Sequence, residues 1–361
     1  MIASMNDELR TKLERVRLMM IANNYGAVHI ADLGNLSWIL CGADMCVSLI
    51  DPPVAEVVIT DKDITVLASS IEEHRLEEEE LPDGVSLLYV PWYDDAKRQS
   101  ILAELIGEGR VLSDDPGSGF EFRDFWALRV PLVEEEIRRY RSVCLDTSEV
   151  FTDVLLQTNS GVTELEIQGQ LLEGLGSKGL QSVVLLVAGD ERLERYKHPL
   201  PKNKLVQSRL MVVACTRKYG LIANLTRFVS FSGESLAKKT AYKDLLGVEA
   251  AILDHTQHGL LIRAAFDELK RAYAKAGDYD AWRAHHQGGP CGYNTRDFVA
   301  QPFGQQMIVD GSAYAWNPSL KGVKVEDTVL LRDGKLEMMT EDKRWPLSKV
   351  AGRLRPEVLE L

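Results

Sequence analysis

The chain has 361 residues, of which 45% are hydrophobic and 27% charged, and its formal net charge is -12. That length and composition support a buried core spread over two domains and exclude global disorder. The acidic balance argues against a nucleic-acid partner, and no apolar run approaches the roughly 20 residues that span a bilayer, so no membrane partner is expected.

From the N-terminus, Met1–Arg17 is charged and amphipathic and lacks the apolar core of a signal peptide. The five cysteines (Cys41, Cys46, Cys144, Cys215 and Cys291) are odd in number and scattered, a pattern of reduced thiols. Both features lead to the expectation of a cytoplasmic protein. Leu9, Leu13, Val16 and Met20 recur at helical spacing, which predicts a helix over 6–24. Strands are predicted at Ala27–Ala31, Met45–Ile50, Val54–Thr60 and Ile64–Ser69, with a hairpin turn at Asp61-Lys62-Asp63. The acidic run Glu77–Glu80 reads as a solvated face. Ser86–Val90 and Val111–Ser113 are further strands with a helix between them, which completes a small α/β domain.

The expected boundary lies near Leu128–Pro131, dividing the chain into residues 1–130 and 131–361. A charged helix carrying Leu132, Ile137, Tyr140 and Val143 opens the second domain. Thr163 and Glu166 have capping-box spacing and start another helix. β-rich runs at Val183–Ala188 and Leu210–Phe231 are followed by a helical stretch from Leu236 to Ala276, and then by strands punctuated with glycine and proline. Gly174, Gly176 and Gly179 spell the dinucleotide-binding fingerprint, but a helix precedes them and a strand follows. That is the reverse of the order the fingerprint needs, so a helix C-terminal turn is expected.

Three segments of the second domain carry candidate chemistry. His198 precedes Pro199, which biases it towards extended backbone, and histidine is the usual acid or base near neutral pH. A lone loop histidine can equally be a structural hydrogen-bonder. His285-His286-Gln287-Gly288-Gly289-Pro290-Cys291-Gly292-Tyr293-Asn294-Thr295-Arg296 combines glycines, which let backbone approach a ligand, with proton-transfer groups and a carboxylate clamp. The alternative there is a tight glycine turn bearing an exposed histidine pair. Gly322 through Thr328 brings Glu326 into an apolar strand, as a rim residue or a buried one.

In this order the three segments resemble the pita-bread domain of the creatinase, aminopeptidase P and prolidase superfamily. Asn224-Leu225-Thr226-Arg227 matches the family's hairpin, His286 through Pro302 its glycine-rich histidine segment, and Gly322 through Thr328 its closing strand. Asn35 through Gly42 resembles a segment of the family's N-terminal domain. The resemblance implies an α/β (α+β) fold, with a small creatinase-like α/β domain before a pita-bread domain, and a homodimer in which the N-terminal domain partly roofs a neighbouring site.

The peptidase members hold two divalent ions with two Asp, one His and two Glu. By the resemblance these positions fall on Val213 or Ala214, Asn224, His286, Ala300 and Glu326, so one of four carboxylates remains. Hard divalent ions need several anionic oxygens. The expectation is therefore no metal and no other cofactor. His198, His286 and Glu326 are the expected catalytic residues, and Asn224, Gly288, Gly289, Tyr293 and Arg296 the expected binders of a small-molecule substrate. The function that follows is metal-independent hydrolysis of a C–N bond in a small amino-acid-like, amidine or activated-amide compound. The alternatives are a non-catalytic ligand-binding former peptidase and an Xaa-Pro peptidase with an atypical metal site.

Overall fold

The computed structural model describes residues 6–361, so the first part of the Met1–Arg17 stretch lies outside the described residues. The chain forms two compact units that divide between Glu136 and Ile137, a few residues beyond the expected position. The division falls in the first turn of the helix Glu134–Leu155.

In the first unit, Asn6 caps the helix Asp7–Asn23, which buries Leu9, Leu13, Val16 and Met20 on one face, as their spacing predicts. The strands are β1 (Ala27–Ile30), β2 (Ala55–Ile59), β3 (Ile64–Ser69), β4 (Ser86–Val90), β5 (Val111–Ser113) and β6 (Glu121–Phe122). They form one mixed sheet in the order β4-β3-β2-β1-β5-β6. The expected hairpin turn joins β2 to β3, closed by Thr60 N–H donating to the Asp63 carbonyl at 2.9 Å.

Two expectations are corrected here. Met45–Ile50 forms no strand: Pro52 and Pro53, one residue beyond it, cannot donate to a ladder, and Val47 and Ile50 are exposed. Glu80 is more than part of a solvated face, because its carboxylate, at the end of the π-helical turn Leu76–Glu80, accepts the Asp44 N–H at 2.6 Å. The Asn35–Gly42 segment is largely helical, capped by Asp32, and ends where Cys41 and Gly42 adopt positive φ.

The second unit is built around β7 (Gln181–Gly189), β8 (Arg209–Lys218) and β9 (Leu221–Ser230), a long antiparallel meander. Following them are β10 (Gly288–Cys291), β11 (Ser312–Trp316), β12 (Ser319–Leu320), β13 (Val323–Lys324), β14 (Asp327–Arg332), β15 (Lys335–Met338), β16 (Leu347–Val350), β17 (Arg353–Pro356) and β18 (Leu359–Glu360). The main sheets run β18-β9-β8-β7 and β10-β11-β14-β15. They meet where Thr226 N–H donates to the Glu326 carbonyl at 2.9 Å.

The helices Leu236–Asp254 and Ile262–Lys275 replace the single helical stretch read from the sequence. Their apolar faces join one core cluster with Val213, Phe228, Tyr314, Trp316 and Val325. His255 caps the first of these helices, and His258 lies in the break between them, where it accepts the Asp310 N–H. Gly174, Gly176 and Gly179 lie at the C-terminal end of the helix Glu164–Ser177 and just beyond it, as the order of elements predicts.

A buried ionic brace fixes the strands that carry the site. Arg227 donates to Asp327 at 2.9 Å, Arg355 donates to the other oxygen of Asp327 at 2.8 Å, and Arg355 also pairs with Glu249. Thr340 donates to Asp327 at 2.6 Å. Buried charges persist only when paired and hydrogen-bonded, and here each carboxylate has a guanidinium partner. The Arg227 and Asp327 of the recognisable motifs therefore hold structure together.

Candidate active site

Strand pleating decides which side chains of the meander face the site. Val213 is paired with Thr226 and Cys215 with Asn224, so alternate residues Val213, Cys215, Asn224 and Thr226 share one face, and Ala214 faces the other way. Val213, not Ala214, is thus the residue beside Asn224. Asn224 is fully buried, and its backbone N–H and carbonyl both bond the Thr328 hydroxyl, at 2.8 and 3.0 Å.

The glycine-rich segment returns to this face through a tight path. Gly288 has a φ of 96°, and a Cβ there would lie 2.1 Å from the Ala315 carbonyl oxygen; one on Gly289 would lie 2.4 Å from that of Phe298. The two glycines expected to bind substrate are thus required by backbone packing. Ala300 N–H donates to the Gly288 carbonyl at 2.8 Å, and Ile222 N–H to that of Gly292 at 2.8 Å. This loop carries Tyr293 into a buried position and delivers Arg296 above Asn224.

Arg296 Nη1 donates to Asn224 Oδ1 at 2.9 Å, and Nη2 to Glu326 Oε1 at 2.5 Å. On the other side Lys324 Nζ lies 3.2 Å from Glu326 Oε2, which also accepts from Thr226 Oγ1 at 3.3 Å. The Glu326 side chain is 2% exposed. Burial alone would raise its pKa, but Lys324 and Arg296 outweigh that and hold it at about 2. Glu326 is therefore a carboxylate shared by two cations, and too weak a base to take a proton near neutrality.

Three histidines gather beside this triad. His198 follows a short helix, Arg192–Arg195, and His285 and His286 lead into β10. His198 Nε2 and His285 Nε2 are 2.8 Å apart, so one ring carries the proton that the other accepts. His285 and His286 stack with centroids 4.3 Å apart. Gln287 is buried below them, donates to the His285 carbonyl at 2.5 Å and receives the Tyr273 hydroxyl at 2.8 Å, which anchors the segment.

All three rings are held neutral. Partial burial, then Lys324, lowers the pKa of His198. Burial and Lys324 bring His285 to about 3, and burial and Arg296 bring His286 to about 4. At about 3 and 4, His285 and His286 are weak bases, which leaves His198 as the ring of the three suited to accept a proton from a water or ligand.

The structure thus brings His198, His286, Asn224, Arg296 and Glu326 into one region. Two participants escaped the sequence reading. Lys324 sits two residues before Glu326, a strand spacing that puts both on one face; His285 is the histidine that contacts His198.

The sequence profile of metallopeptidase family M24 matches residues 138–333. None of the curated protein sequences compared matches the chain. Among solved structures, the fold is similar to an Xaa-Pro dipeptidase from Bacillus anthracis, with TM-score 0.78 and 15% identity over 98% of this chain and 100% of that one. It is also similar to an X-Pro aminopeptidase from Thermotoga maritima MSB8, with TM-score 0.74 and 15% identity over 97% and 99%. The N-terminal domain of FACT complex subunit SPT16 from Cicer arietinum (chickpea) shares the fold too, with TM-score 0.71 and 14% identity over 94% and 97%.

A pair of divalent ions does not fit the residues at this site. Val213 and Ala300, at two of the carboxylate positions, belong to the apolar core cluster. Asn224 presents a neutral amide oxygen already bonded to Arg296, and Glu326 is already neutralised by Arg296 and Lys324. Two ions would bring about four further positive charges against no free carboxylate.

Proposed function

The chain belongs to metallopeptidase family M24, and from that premise we propose a hydrolase that splits a C–N bond in a small amino-acid-like, amidine or activated-amide compound without the family's pair of divalent ions. The observation that carries this reading is Arg296. Its guanidinium bridges Asn224 and Glu326, two positions that the resemblance assigns to metal ligands, so that with Lys324 the protein's own cations neutralise the carboxylate that remains there.

His198 is the proton carrier in this reading. Neutral at pH 7, it takes a proton from water as that water attacks the C–N carbon, then delivers it to the leaving nitrogen. His285 orients the His198 ring through their Nε2 contact, and Arg296 and Lys324 stabilise negative charge that develops on the attacked group. General acid–base action contributes roughly 10²–10⁴-fold and one anion-stabilising donor about 10²–10³-fold. That total suits a strained or activated C–N bond better than an ordinary peptide. A cytoplasmic homodimer completes the proposal, on the family resemblance.

The experiment is mass spectrometry of the purified chain with a panel of cyclic ureas, amidines, activated amides and proline dipeptides, with and without chelator. Chelator-resistant cleavage of a panel member supports the reading; cleavage of proline dipeptides that a chelator abolishes would overturn it. A second reading, a ligand-binding protein without turnover, is favoured by the occurrence of the same fold in a protein described as a complex subunit. It predicts thermal stabilisation by a compound that is recovered unchanged.

A further inference from the structure

The three histidines have a property beyond proton transfer. One ligand nitrogen from each of His198, His285 and His286 can be chosen so that all lie within 4.8 Å of one another. Tetrahedral coordination at zinc–nitrogen lengths of about 2.0–2.1 Å sets ligand nitrogens roughly 3.3 Å apart. The 2.8 Å contact between His198 and His285 needs only a small widening to reach that spacing, and the third ring a small approach. One of the two Nε2 atoms carries the proton of that contact, which moves to Nδ1 of the same ring when an ion takes both lone pairs. The position is also braced from below, because Gln287 ties the His285 carbonyl to Tyr273.

We propose that His198, His285 and His286 form a three-nitrogen site for one borderline transition ion of the zinc class, sharing only His286 with the dinuclear carboxylate site that the resemblance implies. The surroundings decide which ions enter. Arg296 and Lys324 against Glu326 leave one net positive charge nearby, so an ion gains little from Coulomb attraction. Hard ions such as Mn2+, Mg2+ and Ca2+ depend on anionic oxygens and are rejected. Zn2+, Cu2+ and Ni2+ bind imidazole nitrogen strongly enough to be held. Three protein ligands leave a fourth position open for water or an anion.

The consequence for turnover rests on the proposed function. An ion on His198 occupies the lone pair that would accept the proton, so it inhibits, and a chelator activates.

The binding claim is tested without any substrate. The untagged full-length chain is dialysed against Zn2+ and then against metal-free buffer, and retained metal is measured by elemental analysis alongside the thermal midpoint. Expected is one zinc per chain and no retained manganese. His198→Ala and His285→Ala should each weaken zinc binding by more than about 10-fold, since even loss of a supporting hydrogen bond costs that much at metal sites. His74→Ala, on an exposed histidine of the first unit, should keep full binding and controls for surface capture. Unaltered thermal midpoints without zinc would show that the variants fold. Absence of retained zinc, two ions per chain, or unchanged retention in the His198 and His285 variants would overturn the proposal. The hydrolase reading would survive that outcome, because its test is chelator-resistant turnover.

Discussion

Arg296 Nη2 lies 2.5 Å from Glu326 Oε1, a contact between residues thirty positions apart in a region where both side chains are nearly excluded from solvent. Truncating Arg296 deprives Glu326 Oε1 and Asn224 Oδ1 of a buried charged donor while Lys324 still faces the carboxylate, at a cost of about 1–3 kcal/mol. Arg296→Ala should therefore lower the unfolding free energy by about that much in urea denaturation. Arg296→Lys should fall between, since an ammonium cannot bond Asn224 and Glu326 in the same fork. A loss below about 1 kcal/mol for Arg296→Ala would mean that the pair is solvated.

Turnover, once a substrate is found, should need His198. His198→Ala is expected to lower kcat by roughly 10²–10⁴-fold while the thermal midpoint stays within a few degrees. The pH profile gives an independent check. Because the His198 pKa is lowered from 6.5, the neutral base persists below that value, so the acid limb of kcat/KM should lie below pH 6.5. An acid limb above pH 7 would point to another base.

Acid should destabilise the fold in two steps. Burial and Lys324 lower His285 to about 3, and burial and Arg296 lower His286 to about 4, so the unfolded chain binds more protons at these positions. Their contribution is complete above pH 6.5 and is lost as pH falls towards 3–4. Glu326, at about 2 in the folded chain against an ordinary value of 4.5, contributes stability present above pH 4.5 and lost as pH falls towards 2. His285→Asn should flatten the curve between pH 6.5 and 4, where Glu326 stays ionised, as read by urea midpoints from pH 7 to 4. Identical curves for the two proteins would rule out this assignment.

Much of the fold is legible in the sequence because periodicity and caps are local. The helix Asp7–Asn23 and the Thr163–Glu166 capping box follow from spacing alone, and the β-rich run Leu210–Phe231 covers β8 and β9 without marking the turn between them. The failures are equally physical. Met45–Ile50 has the apolar content of a strand, but the two prolines after it leave no ladder to join. At the site, the missing carboxylates are plain in the sequence, whereas Arg296 reads as a substrate clamp. Only the return of the glycine-rich loop to β9 turns it onto Asn224 and Glu326, and a contact across thirty residues leaves no periodic trace.

Gly288 should tolerate no side chain. A Cβ there would lie 2.1 Å from the Ala315 carbonyl and 2.8 Å from Trp316 Cα, both backbone atoms that cannot rotate away. Gly288→Ala should separate β10 from β11 and give little folded protein, seen as lost expression or a strongly lowered thermal midpoint. A fully stable Gly288→Ala would mean that the loop can be rebuilt.

The side-by-side placement of Lys324 and Glu326 on one strand face bears on any attempt to build a dinuclear metal site here by protein engineering. Installing acidic residues at Val213, Asn224 and Ala300 alone would hand new carboxylates to Arg296 and Lys324, which would clamp them as internal ion pairs before any metal arrived. The route to a dinuclear site therefore has an order, in which the two basic residues must be neutralised first or together with the acidic replacements.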